Sequence, residues 1–258
     1  MPLFTLITYN VNSVRSRFHV LDYLISRYDP HILCLQETKV ADSEFPVSYF
    51  EGRGYLVYFS GEKAKSGVAI GYKGGLDVRL LGMGLFGKDL SRLIEVEFDN
   101  LKLMNLYVPQ GRSPEDEEFK RKLEFLDALI RYIESKYSKN DSLILVGDLN
   151  IAPTDIDVHD PKRLYGHVCF RDEVWDAYRR IIEWGFVDVF RMFNPDRVYT
   201  FFDYRVKNAI GRGLGWRVDH VLVTSPLVEK VKECFVDLGA RKMEKPSDHA
   251  PIVAKFDL

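Results

Sequence analysis

Polar residues of a few types stand at the ends of apolar runs along this chain. Asn10 and Asn12 follow Leu3 to Tyr9. Gln36 and Glu37 follow Ile32 to Leu35, and Tyr107 follows Leu101 to Leu106. Asp148 and Asn150 follow Leu143 to Val146. Asp219 and His220 come after Trp216, and Ser247, Asp248 and His249 precede the last apolar run. In α/β sheets ligands gather at strand ends, where loops converge. Side chains at i and i+2 of an extended stretch share a face. Asn10 with Asn12, and Asp148 with Asn150, are therefore expected to point into one pocket.

Such a set supports a specific chemistry. Carboxylates and amides without thiolates are hard oxygen donors, suited to Mg²⁺ or Mn²⁺ rather than structural zinc. A histidine among aspartates offers an imidazole with carboxylates to orient it. A tyrosine hydroxyl and amide donors bind a phosphoryl oxygen. Together these are the parts for metal-assisted attack of water on a phosphate ester. The chain has no Gly-x-x-x-x-Gly-Lys-Ser/Thr loop and no His-Glu-x-x-His. Taken singly, each cluster has a plainer reading. Asp148-Leu149-Asn150 is also an ordinary turn sequence. Glu37 is also a solvated partner for Lys39, Tyr107 a packing aromatic, and His249 a turn cap. Joint occurrence at six strand ends favours the chemical reading.

The elements that must position these residues alternate between β-like and helical runs. Strands are expected at Leu3 to Tyr9, Ile32 to Leu35, Tyr55 to Phe59, Gly67 to Tyr72, Leu93 to Phe98 and Leu101 to Val108. Later ones are expected at Leu143 to Val146, Val218 to Val223 and Pro251 to Phe256. Helical spacing marks Phe18 to Tyr28 and Arg171 to Trp184. A third helix is expected from an N-cap at Ser113 to about Tyr137, with Glu115 to Glu118 at the positive end of its dipole. No linker or repeat interrupts the pattern, so residues 1–258 read as a single α/β domain.

Composition bounds the rest. With 46% hydrophobic residues the chain has material for a large core. No run is long enough for a membrane helix, and the first ten residues lack the basic start and cleavage site of a secretory signal. Three scattered cysteines, Cys34, Cys169 and Cys234, argue against a disulfide framework or zinc site and for a reducing, cytoplasmic setting. The net charge of −2, from 36 bases and 38 acids, excludes a protein that coats nucleic acid by bulk electrostatics.

In order, the motifs are Thr8-Tyr9-Asn10-Val11-Asn12, Leu35-Gln36-Glu37-Thr38-Lys39 and Leu106-Tyr107-Val108-Pro109-Gln110-Gly111. Gly147-Asp148-Leu149-Asn150-Ile151-Ala152-Pro153, Gly215-Trp216-Arg217-Val218-Asp219 and Ser247-Asp248-His249-Ala250-Pro251 follow. This closely resembles the exonuclease III family of abasic-site (AP) endonucleases, within the endonuclease/exonuclease/phosphatase superfamily, from Thr8 to Pro251. The resemblance implies a four-layered α/β sandwich of the deoxyribonuclease-like kind, two packed mixed β-sheets flanked by helices. It implies Glu37 as the main Mg²⁺ ligand, with Asn10 and Asn12 beside it and Asp248 as a further ligand. It implies that Asp148 orients or deprotonates the attacking water, with Asn150 as partner and oxyanion donor. His249 would contact the phosphate, Asp219 would orient His249, and Tyr107 would contact phosphate or leaving group. Phe201, Trp216 and Val218 match the wall of the pocket for a base-less sugar, which would admit a flipped abasic deoxyribose. Without the family these aromatics read as core. The acid-free run 204–218 carries Arg205, Lys207, Arg212 and Arg217, suited to phosphate contacts or to a solvated loop.

Tyr9 stands where many relatives have Trp or Phe, Asn12 where some have Asp, and Phe202 where Trp is frequent. The implied activity is Mg²⁺-dependent incision of double-stranded DNA 5′ to abasic sites, with trimming or cleaning of 3′ termini, by a monomer. The competing readings are a same-fold phosphoesterase for lipid or small-molecule phosphates and an inactive nucleic-acid-binding module. The charge total also shifts once Glu37, Asp148, Asp219 and Asp248 are assigned to the site. Taking those 4 from 38 leaves 34 acids against 36 bases, or +2.

Overall fold

The computed structural model describes residues 3–258, so Met1 and Pro2, on which the reading of the N-terminus partly falls, lie outside it. One six-stranded sheet runs β11 (Val231–Val236), β12 (Ile252–Phe256), β1 (Phe4–Asn10), β2 (Ile32–Gln36), β4 (Gly67–Lys73), β3 (Tyr55–Gly61). The other runs β5 (Arg79–Met83), β6 (Leu93–Phe98), β7 (Leu101–Tyr107), β8 (Leu143–Asp148), β10 (Asp219–Thr224), β9 (Phe186–Asp188). Each sheet contains one parallel pair, β1 with β2 and β7 with β8. A parallel pair needs a crossover, and helices Phe18–Tyr28 and Glu117–Lys136 supply it. In both sheets the crossover brings the C-terminal ends of its two strands to one edge.

The central strands are buried on both faces, and their alternation sorts the core into layers. On β1, Phe4 and Leu6 face the gap between the sheets, where they join Ile32 and Cys34 of β2 and Ile144 and Val146 of β8. Ile7 and Tyr9 face the other way, onto the helix Phe18–Tyr28. Leu143 and Leu145 of β8 pack outward against Leu126 and Ile130 of the helix Glu117–Lys136. The result is the expected four-layered α/β sandwich. The same parity puts Asn10, Gln36, Asn105, Tyr107, Asp148 and Asp219 on the inter-sheet side at one end, continuing the rows that carry the core. Gly147 has φ +130, and a Cβ there would lie 2.0 Å from the Leu106 carbonyl oxygen. Only glycine brings β8 close enough to β7 to set Asp148 beside Tyr107, its register partner.

Two expectations are corrected. The long helix starts at Glu117, capped by Asp116 rather than Ser113. The Asp116 carboxylate accepts from the backbone N–H of Phe119 at 2.7 Å, and also from Arg112 and Ser113, so one side chain closes both the turn and the helix end. The second correction concerns Arg217, expected on a DNA-facing loop. It is wholly buried between β10 and the 155–157 turn. Its Nε donates to Asp157 at 2.5 Å and its Nη1 to Asp188 at 2.8 Å. Arg191 closes on Asp157 as well. Burial raises the Asp157 pKa, but the two guanidiniums outweigh it and hold the carboxyl down at about 2. With a depressed folded pKa, the stability from this acid is present above the ordinary carboxylate range and lost as pH falls toward 2.

Removing Arg217 leaves the buried Asp157 with Arg191 as its one guanidinium and takes the cation from the half-buried Asp188. Arg217→Ala is expected to cost about 3–5 kcal/mol in urea unfolding at pH 7. A change below about 0.5 kcal/mol would contradict the structural assignment.

Candidate active site

Asn10, at the end of β1, donates both amide protons to carboxylates: Glu37 Oε1 at 2.9 Å and Asp148 Oδ2 at 2.9 Å. Its own oxygen accepts the Asn12 backbone N–H at 3.0 Å, which fixes which way the amide points. The turns that follow β1 and β8 share one construction. Asn12 has φ 43 and Asn150 φ 53, both left-handed, and Asp148 Oδ1 accepts the Asn150 N–H at 2.9 Å, as Asn10 does for Asn12. Both pairs are set by Asx turns rather than as extended i, i+2 neighbours, and only Asp148 and Asn150 line the pocket; Asn10 and Asn12 stand behind it, bonded to Glu37, Asp148 and Asp248.

The other acids are held in series. Lys39 pairs with Glu37 Oε2 at 2.8 Å and donates to Asn12 Oδ1 at 2.5 Å. Asn12 Nδ2 donates to Asp248 Oδ1 at 2.9 Å. His249 Nδ1 meets Asp219 Oδ2 at 2.8 Å, and its Nε2 stands 3.8 Å from Asp148 Oδ2. Ser247 Oγ donates to the Asn10 carbonyl at 2.7 Å and accepts the His249 N–H at 3.2 Å, tying the β12 approach to the end of β1. The Asn150 amide donates to the Val108 carbonyl at 3.0 Å.

Burial and mutual charge retune these groups. Desolvation, with Asp219 and Glu37 nearby, raises Asp148 to about 7 against the pull of His249. Burial alone would lower His249, but Asp219 and Asp148 outweigh it and raise the imidazole to about 10. The ring is therefore an imidazolium at neutral pH, oriented through Nδ1 by Asp219. Burial, then Glu37 and Asp148, push the Tyr107 phenol well above its ordinary range, so it stays a protonated donor.

Asp148 and His249 face a cavity of about 400 Å³, with Tyr107 and Asp219 behind its lining. Glu37, Asp148, Asn150, Asp248 and His249 line it together with Phe201, Trp216 and Val218. Phe201 and Trp216 exchange backbone hydrogen bonds at 2.8 and 3.0 Å, and Phe202 N–H donates to the Asp248 carbonyl at 2.8 Å. The aromatic wall is thus a short ladder anchored to the acidic loop. The exposed Arg205 also lines the cavity, held at 2.6 Å by the half-buried Asp203. Lys207 and Arg212 lie on the exposed loop beyond it. Sequence reasoning missed Gln110, His167, Cys169 and Tyr204 in the lining. Gln110 follows the Tyr-Val-Pro run and was within reach. His167 and Cys169 sit on a connection that no strand end announces.

Glu37, Asp148 and His249 offer ligand atoms within 4.8 Å of one another. With His249 protonated, the donors left for a cation are oxygens, a set that fits a hard divalent ion. Asn10 turns its N–H₂ toward both carboxylates and so organises them. In metal-free protein the His249 imidazole is expected to titrate near 10 by NMR, and Asp219→Asn to bring it down by at least about one unit. An unchanged midpoint in that variant would remove Asp219 as the cause.

A model described as the Endonuclease/Exonuclease/phosphatase family matches residues 7–249. Exodeoxyribonuclease III of Haemophilus influenzae is 37% identical to this chain, over 97% of the chain and 98% of that protein. An AP endonuclease structure from Archaeoglobus fulgidus is 44% identical with a TM-score of 0.95, covering 99% of this chain and 100% of that one. The 3′ phosphatase NExo from Neisseria, bound to product DNA hairpin, is 31% identical with a TM-score of 0.90, covering 99% of this chain and 100% of that chain.

Proposed function

This chain belongs to the endonuclease/exonuclease/phosphatase family, and from that premise we propose that it is a DNA repair nuclease of the exonuclease III type. It hydrolyses the phosphodiester 5′ to an abasic site in duplex DNA and trims or cleans 3′ ends. The observation that carries this reading is the joining of carboxylates, an oriented imidazolium and an aromatic slot in one cavity.

Each group has a role its environment suits. Asp148, with a pKa raised to about 7, takes a proton from water near neutral pH. Asn150 and the His249 imidazolium donate toward the phosphoryl oxygens as charge builds there, and Asp219 keeps the ring turned. Tyr107 remains a protonated donor near the leaving group. Glu37, Asp248 and Asn12 would hold Mg²⁺ or Mn²⁺, which supplies charge to stabilise the departing oxygen. Phe201, Trp216 and Val218 form a wall that accepts a sugar without a base, and a stacked nucleotide must be flipped to reach it. Arg205, Lys207 and Arg212 face the flanking phosphates. The reading includes a monomer acting in the cytoplasm; among the described residues no helix is long and apolar enough to cross a membrane.

The test is a duplex carrying one abasic analogue, incubated with Mg²⁺ or with EDTA. Incision 5′ to the lesion is expected with Mg²⁺ only. Glu37→Ala and Asp148→Ala are each expected to slow it by about a hundredfold or more. No metal-dependent incision by the wild type would overturn the function, and retained activity in a variant would overturn that residue's role.

A further inference from the structure

Lys122 lies in the interior of the helix Glu117–Lys136, fully buried. Its ammonium meets carbonyls and a thiol rather than a carboxylate. The distances are 2.6 Å to Asn150 O, 2.7 Å to Val168 O, 3.4 Å to Gln110 O and 3.8 Å to Cys169 Sγ. Burying a cation without a counter-charge is expensive, and burial pulls this lysine's pKa down. A helix that needed only to pack on β8 would carry leucine here. The three carbonyls belong to three separate segments: the loop after β7, the turn after β8 and the 167–170 connection. Each segment contributes to the catalytic cavity, through Gln110, Asn150, and His167 with Cys169.

Asn150 needs such support. Its left-handed backbone is one that asparagine tolerates, held from one side by the Asp148 carboxylate, and a further contact on its carbonyl fixes the direction of the side chain. Its N–H and amide are fixed from β8 and the Val108 carbonyl, and its carbonyl oxygen is fixed by Lys122. We propose that Lys122 is a positioning residue. Its ammonium pins the carbonyls of Gln110, Asn150 and Val168, and so holds the Asn150 amide and the 167–169 wall where the phosphate and sugar are seated. The inference rests on the incision reading above and names a residue that never touches substrate.

The experiment compares Lys122→Met with Leu129→Ala, a core truncation on the same helix, in duplex incision well below both unfolding transitions. Lys122→Met is expected to lose about tenfold to a hundredfold in kcat, with KM for the duplex within about twofold. Leu129→Ala is expected to keep its kcat, and Lys122→Gln, which retains an N–H donor, to recover part of the loss. A kcat in Lys122→Met within about twofold of wild type, or equal losses in Lys122→Met and Leu129→Ala, overturns the proposal. If Lys122→Met does not fold, Lys122→Gln carries the same split, and a wild-type kcat there overturns it. Failure of the wild type to incise would sink the incision reading instead. Positioning is then read from the Asn150 side-chain amide resonances by NMR. They should move in the Lys122 variants and not in Leu129→Ala, and unmoved resonances overturn it.

Discussion

The two hydrogen bonds from the Asn10 amide hold the site together. Glu37 extends from the sheet that contains β1, and Asp148 from the sheet opposite. Along most of the sandwich the sheets are joined by apolar packing, which has no direction and does not fix polar atoms to a fraction of an ångström. At the catalytic end the apolar rows give way to polar side chains, and directional bonds take over. Asn105 donates to the Leu35 and Ala69 carbonyls at 3.0 and 2.9 Å, and Gln36 donates to Asn105 at 2.6 Å, one layer behind the carboxylates. These bonds fix the spacing between the halves where the chemistry needs it.

The same arrangement accounts for the unusual proton affinities. Four acids share one end of the sandwich, and most are screened from water. Water cannot compensate their repulsion there, so the protein does it with Lys39 on Glu37, with His249 between Asp219 and Asp148, and with the Asn150 backbone N–H on Asp148. The balance leaves Asp148 near neutrality and His249 charged. A carboxyl that exchanges its proton near neutral pH and a cationic imidazole thus arise from one coupled set. Net charge says little about such a site. The −2 total counts every charge in the chain, including the buried Arg217, Lys122, Asp157 and Glu95, whereas Arg205, Lys207 and Arg212 sit together on one exposed stretch.

Much of this was legible because strand periodicity and strand ends are local signals. The helix Phe18–Tyr28 and the strand Leu93–Phe98 fall where the pattern put them. The motif order brought Glu37, Asp148, Asn150, Asp248 and His249 to one cavity, as expected. The misses have physical reasons. Arg217 has the sequence context of a basic loop, and only the fold shows that Asp157 and Asp188 converge on it from 60 and 29 positions away in the chain. Lys122 reads as one more solvated lysine on a charged helix, because its carbonyl partners are not encoded by any side-chain type. β5, β9 and β11 are sheet-edge strands or three residues long, with too little apolar alternation to stand out.

The claim that directional bonds join the halves at the site is tested by a double-mutant cycle in urea unfolding, using Asn10→Ala, Asp148→Ala and the pair. A direct cross-sheet bond predicts that the two changes are not additive, with a coupling energy of about 0.5–3 kcal/mol. Additivity within about 0.3 kcal/mol would mean that Asn10 and Asp148 do not hold each other, and the account of how this site is assembled would be wrong.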